Sequence, residues 1–279
     1  MHVTSRRFDF AALLILTVTA AVAAGACATH SRNSVPAGTT EPDKFLFDRG
    51  TSELANKKWL TAREFFKQVV ETYTGSPYRP DAKLGLADTY LGEGTSEALV
   101  LALNEYTEFL SFYPTNKRAD YAQYKIGMTH FKQMRAAQRD QTETREAVKA
   151  FQTFLDRYPA GPARTVDINE VKSKLRQAQD RLSQADYQVG FFYWRAKWYP
   201  GAIDRFKTLL KQDPEFGGRD GAYFYLSDSL IKMKLGPEAL PYLEKLVAEF
   251  ERSQYLVPAR KLIASLKADA QANTGGPTP

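Results

Sequence analysis

Between Val189 and Pro214 the apolar positions fall into two helical runs. Val189, Tyr193 and Ala196 mark one face, and Ala202, Ile203, Phe206, Leu209 and Leu210 mark another at i, i+3, i+4, i+7 spacing. Pro200 opens the second run, where its missing N–H leaves nothing unsatisfied, and Pro214 closes it. The spacing predicts two antiparallel helices joined by a tight turn. Gly190 and Ala202 are small enough to let the backbones approach, and Tyr193 and Phe206 fill the space between.

The pattern recurs. Aligned on the small residue of the second helix, copy one carries Gly50, Ala62 and Phe66, and copy two carries Ala87, Tyr90, Ala102, Tyr106 and Pro114. Copy three carries Gly127, Ala147, Phe151 and Pro159. The hairpin above is the fourth copy, and Leu226, Ser227, Leu230, Ala239 and Leu243 form a weaker fifth. This is the tetratricopeptide (TPR) pattern. The Ala-to-Pro offset is twelve in copies two to four, whereas the spacing between the small residues stretches to fifteen in copy two and twenty in copy three. The insertions therefore belong to the inter-helix loops. The expected fold class is all-α, a TPR-like solenoid of about five helix-turn-helix repeats in which each hairpin buries its face against its neighbours. Ala259, Leu262, Ile263 and Leu266 predict a closing C-terminal helix over the last apolar face.

Three features depart from a plain repeat. Ile168, Val171, Leu175, Ala178, Leu182, Ala185, Val189, Phe192 and Ala196 alternate by three and four without a break, predicting one helix of about 30 residues and roughly 45 Å. Its stripe either packs on neighbouring helices or pairs with another chain. The loop from Arg135 to Thr144 is polar and charged throughout, as expected of a face turned to solvent or a partner. Gly75-Ser76-Pro77-Tyr78 makes the turn into copy two, where Tyr78 is either an aromatic offered to a partner or a staple for the next helix.

The first residues read differently. Arg6 and Arg7 form a basic region and Ala11 to Ala24 an apolar one, the layout of a secretory signal. Ala24-Gly25-Ala26-Cys27 follows and resembles a bacterial lipobox, in which the Cys is acylated and becomes the mature N-terminus. Cys27 is the only cysteine of the chain, so no disulfide framework accounts for it. An ordinary cleavage site with an incidental Cys is the alternative. In signals of this kind, Ala28 in place of Asp implies release to the outer membrane. From Ala28 to Asp43 the chain is rich in Ser, Thr, Pro, Gly and Asn, as expected of a flexible tether. The organisation expected is a signal peptide at 1–26, lipidated Cys27 with its tether at 27–43, the repeat domain at 44–268 and a disordered tail at 269–279.

Charge and chemistry narrow the function further. A formal net charge of +6 over 279 residues is mild, and Lys and Arg are dispersed among Asp and Glu without a nucleic-acid-binding arm. Of three histidines, His2 lies in the signal and His30 in the tether. His130, at a packing position of copy three, has no Cys and no clustered carboxylates with which to build a zinc site. Gly92-Glu93-Gly94 lacks the context of a nucleotide loop, and no hydrolase or metalloprotease motif occurs. No catalytic, cofactor or metal site is expected, and the reading is of a binding protein rather than an enzyme.

The lipobox, the short tether and five long hairpins ending in Phe112-Tyr113-Pro114 and Arg157-Tyr158-Pro159 resemble the BamD family of outer-membrane β-barrel assembly lipoproteins. Tyr73-Thr74-Gly75-Ser76-Pro77-Tyr78 is similar to a turn of that family, with Thr74 in place of its Pro. Ala202-Ile203-Asp204-Arg205-Phe206 is similar to its Ala-Ile-Asn-Arg-Phe run, with Asp204 in place of Asn. The resemblance implies a lipid-anchored protein on the periplasmic face of the outer membrane. It would bind the POTRA region of a BamA-like barrel-inserting subunit, work with other assembly lipoproteins and receive unfolded outer-membrane protein precursors. Tyr78 and Arg205 are the candidate partner-binding residues. By helical geometry Asp204, Arg205, Lys207 and Lys211 point outward, and a guanidinium there suits a carboxylate across an interface. Pairing of Arg205 within its own helix, with Asp204 or near Glu215, is the competing reading. A different TPR lipoprotein serving as an envelope scaffold, such as a pilus-biogenesis pilotin or a cell-division coordinator, is the alternative function. Regular repeats of about 34 residues would mark it.

Overall fold

The computed structural model of the chain describes residues 35–158 and 165–274. The signal, Cys27, Pro159 and the last residues lie outside this range, and so do the expectations attached to them. Eleven α-helices are found among the described residues, with no strand. The chain divides after Phe109 into two compact units.

The first unit holds α1 (Pro42–Ala55), α2 (Trp59–Thr72), α3 (Arg79–Glu93) and most of α4 (Ser96–Phe112). Its core gathers Leu46, Ala62, Phe65, Phe66, Val69, Ala82 and Leu86. The buried ring of Phe66 lies between two glycines: a Cβ on Gly50 would come within 2.8 Å of it, and one on Gly85 within 2.6 Å. In the second hairpin the small residue is Ala87 and its large counterpart is Tyr106, fully buried with its hydroxyl donating to Asp88 at 2.5 Å. Lys83 is buried as well. Its Nζ donates to Glu105 at 2.8 Å and Glu108 at 2.6 Å, joining α3 to α4. Burial acts to lower the Lys83 pKa, but the two carboxylates outweigh it and hold it above the ordinary value.

The second unit holds α5 (Ala119–Gln133), α6 (Thr142–Arg157), α7 (Ile168–Arg195), α8 (Tyr199–Gln212), α9 (Arg219–Lys232), α10 (Gly236–Glu249) and the closing α11 (Leu256–Thr274). The small-against-large pairing continues: a Cβ on Gly127 would meet Phe151 at 2.5 Å, and one on Gly190 would meet Phe206 at 2.8 Å. In the fifth hairpin Ser227 and Leu243 are both buried, and Ser227 Oγ donates to the carbonyl of Ala239 at 3.3 Å.

Three hairpin turns share one solution. Lys57, Lys197 and Lys234 sit at φ of 59°, 57° and 61°, in the left-handed region. Each turn closes with the paired hydrogen bonds of a Schellman motif. Lys58 N–H reaches Glu53 O and Lys57 N–H reaches Leu54 O, both at 2.9 Å, and the same pairs recur as Trp198 to Tyr193 with Lys197 to Trp194, and Leu235 to Leu230 with Lys234 to Ile231.

Several expectations need correction. The folded part starts before residue 44, because Pro42 in the first turn supports a helix and Val35 packs on the first core. It also runs past 268, since α11 extends to Thr274. The long helix forms as expected, opened by Asp167, whose carboxylate accepts from Asn169 N–H at 2.9 Å. Its apolar stripe, however, is not buried throughout. The N-terminal half puts Val171 and Ala178 into the core shared with α6, whereas the C-terminal half turns Gly190 towards α8. A strict 3.5-residue stripe drifts by about 20° per heptad on a straight helix, and the helix changes partner midway. Val189, Phe192 and Ala196 are consequently exposed. The copy-three insertion is tied down rather than loose. Gln141 Nε2 donates to the carbonyls of Ala136 and Arg139 at 2.8 and 2.9 Å.

Candidate partner-binding surface

The outward side of α8 is positioned from beneath. Ala202, Phe206 and Leu209 are fully buried or nearly so, and Gly190 lets α7 approach the Phe206 ring. The far end of α8 is clamped by ions. Arg176 of α7 grips Asp213 through both terminal nitrogens, at 3.1 and 2.6 Å, and reaches Asp180 at 3.2 Å. Ser183 also donates to Asp213, and Asp180 accepts from Gly217 N–H at 3.1 Å. Burial pushes the Asp213 pKa up, but the hydrogen bonds from Arg176 and Ser183 prevail and hold its carboxyl below the usual range. Arg176 is correspondingly raised, the pull of Asp213 and Asp180 overcoming its burial.

On this support Asp204, Arg205, Lys207 and Lys211 all face solvent, as the periodicity predicts. Lys207 pairs with Glu238 of α10 at 3.2 Å. Arg205 takes neither partner weighed from sequence. Glu215 sides with Arg176 at 3.8 Å, and the Arg205 charge is felt by Asp186 of α7. Burial raises the Asp186 pKa and Arg205 opposes that rise. Trp198, Gly201, Arg205 and Thr208 recur along one side of α8. Trp198 is 55% exposed, its ring laid on Gly201 and edge-on to Tyr193 at 4.7 Å. Trp198 and Arg205 are thus both exposed on neighbouring turns, and tryptophan and arginine are among the residue types enriched at interface hot spots.

Tyr78 belongs to the first unit. It is half-buried and stacks on Phe47 at 5.4 Å with ring planes 20° apart. The ring thus serves as the staple weighed beside the partner reading. His130 is also accounted for locally, its Nδ1 lying 2.8 Å from Glu143. Among the described residues no group of three or more His, Cys, Asp or Glu is placed to hold a metal ion, and no helix is long and apolar enough to cross a membrane. Cys27 lies outside the described residues.

The periodicity does not single out Trp198, and it places Val189 and Phe192 in a stripe that the structure leaves exposed at this end.

Paired helices and small-against-large contacts define a TPR-like repeat protein. The family model described as "YfiO: Outer membrane lipoprotein" matches residues 39–239, and the chain belongs to that family. Among curated relatives, the Outer membrane protein assembly factor BamD of Caulobacter vibrioides is 25% identical over 275 residues, covering 94% of this chain and 87% of the relative. That of Vibrio cholerae is 26% identical over 184 residues, covering 62% and 73%. Among solved structures, the TPR2AB-domain:pHSP90-complex of yeast Sti1 aligns at a TM-score of 0.45 and 13% identity, over 84% of this chain and 86% of that one.

Proposed function

We propose that the chain is a scaffold of outer-membrane protein assembly, held on the periplasmic face of the outer membrane by acylated Cys27. Family membership and relatives named as assembly factors support the assembly role. In this reading residues 1–26 are the signal and the stretch after Cys27 is the tether. The outward side of α8 binds an acidic surface on the POTRA region of a BamA-like barrel-inserting subunit. Other assembly lipoproteins and unfolded outer-membrane protein precursors are its further partners.

The observation that carries this reading is Arg205, exposed on a helix fixed from below and beside Asp186 rather than locked into a full ion pair. Its guanidinium has donors left for a carboxylate across an interface, and Trp198 supplies apolar area next to it. The test is binding of a purified POTRA region to the full chain in detergent. Arg205→Glu is expected to weaken binding at least tenfold while circular dichroism stays unchanged. An unaltered dissociation constant removes this surface from the interface.

A further inference from the structure

Along α7, Lys174, Arg181, Gln188 and Arg195 recur every seven residues; Ala185 and Phe192 lie between the last three, and Ala178, between the first two, is buried beneath them. Seven residues make nearly two turns, so these side chains follow one side of the helix for about 30 Å. α5 and the loop after it border that side. Lys174 Nζ stands 5.0 Å over the Phe131 ring, and Arg181 donates to the carbonyl of Arg135 at 3.1 Å. Further along, Gln188, Phe191, Phe192, Arg195 and Ala196 line a cavity of about 530 Å³ together with Gln138 of the loop.

Between Lys174 and Arg195 the strip has no carboxylate of its own, and the acidic groups around it already have partners: Glu170, one turn before Lys174, accepts from the Tyr124 hydroxyl at 2.5 Å. Glu143 faces His130, Asp180 takes Arg176 and Gly217 N–H, and Asp140 accepts from the N–H and hydroxyl of Thr142, both at 3.1 Å. Arg135 and Arg139 add exposed positive charge at the loop. One end of the strip thus gathers cations whose neighbouring carboxylates already have partners of their own, and the other opens into an apolar cavity with a cation at its edge.

We infer that this strip is a docking groove for an extended acidic segment of a partner protein. Carboxylates of the segment face Lys174, Arg181 and Arg195, and one bulky apolar side chain enters the cavity beside Phe192. At about 3.3 Å per extended residue, 30 Å takes roughly nine residues. Lys174 and Arg181 are half-buried between helices, a setting that an extended chain enters and a flat lipid surface does not. The inference rests on the scaffold reading above but uses a different face from Arg205.

The probe is a fluorescein-labelled decapeptide of alternating aspartate and glycine with one phenylalanine near an end, titrated into the full chain in detergent and followed by anisotropy. Saturable binding that weakens with salt is expected. The double variant Lys174→Glu/Arg181→Glu should lose at least tenfold in affinity, and Lys174→Gln/Arg181→Gln, gentler on the fold, should lose several-fold with unchanged circular dichroism. Replacing the peptide's phenylalanine by serine, or making Phe192→Ser, should each cost several-fold. Arg205→Glu should leave peptide binding intact, so failure here is distinguishable from failure of the α8 interface. Absence of saturable binding, equal binding of a lysine-for-aspartate peptide, or an affinity unmoved by charge reversal overturns the groove.

Discussion

Gly190→Ala probes the contact on which the candidate surface stands. The added Cβ would lie 2.8 Å from one edge carbon of the Phe206 ring and 3.0 Å from two others. Carbon atoms attract best at about 3.5–4.0 Å, so the methyl intrudes by roughly 0.7 Å. The ring has nowhere to retreat. Phe206 is fully buried, with Tyr187 at 5.7 Å and Tyr225 at 6.4 Å between centroids. Overpacking of this kind costs about 1–3 kcal/mol, against which alanine returns up to ~1 kcal/mol of helix preference over glycine. The net expectation is a loss of about 1–2 kcal/mol, or roughly 2–8 °C in thermal midpoint for a domain of this size. Thermal and urea unfolding followed by circular dichroism measure it, with Gly75→Ala as control because nothing lies within 4 Å of that Cβ. Phe206→Leu should make room, so the double variant should be less destabilised than the sum of the singles by at least ~0.5 kcal/mol. A Gly190→Ala protein as stable as the parent, or strict additivity in the cycle, refutes the close contact and with it the register of α7 on α8.

Two further predictions concern stability. Lys57→Gly, Lys197→Gly and Lys234→Gly remove a left-handed side-chain penalty of about 1–2 kcal/mol, against ~0.5–1 kcal/mol of chain entropy. Each should stabilise by up to about 1 kcal/mol in urea unfolding, and a loss of stability in all three would contradict the turn geometry. Asp213→Asn breaks the clamp of Arg176 and should cost about 2 kcal/mol at neutral pH. Because the folded pKa of Asp213 is depressed, the wild-type advantage is present above the unfolded value and lost as pH falls through the lower folded one. The gap between variant and parent midpoints should therefore close in acid, and a gap constant down to pH 2 would count against the ion pair as its origin.

What the sequence made legible was local and repeated. Gly50 with Phe66 and Gly190 with Phe206 are each sixteen residues apart, a separation that a tight helical hairpin maps onto direct contact. Gly127 with Phe151 keeps the same contact despite a longer loop, because the insertion falls between the helices. What escaped depends on longer-range packing. Asp186 meets the charge of Arg205 only through the antiparallel register of α7 on α8, and nothing in the run from Ala202 to Phe206 announces it. Lys57, Lys197 and Lys234 occupy turn positions where glycine or asparagine would have been the signal.

The α7 stripe is the more instructive failure. An apolar stripe continuous in sequence suggests packing along its whole length, yet a helix passed from α6 to α8 exposes whichever part of the stripe follows the exchange. Phe192 and Val189 therefore remain uncovered, at 65% and 38% exposure, for a reason of geometry rather than composition. A large aromatic left in solvent on a helix of fixed position costs hydrophobic stabilisation that a smaller or polar side chain would not forgo. Where a local rule is broken without a compensating contact inside the fold, the compensation is sought outside it. Phe192 meets that condition at the cavity of α7. The same exchange of helix partners that breaks the periodicity of burial on α7 therefore leaves open the face that carries the groove.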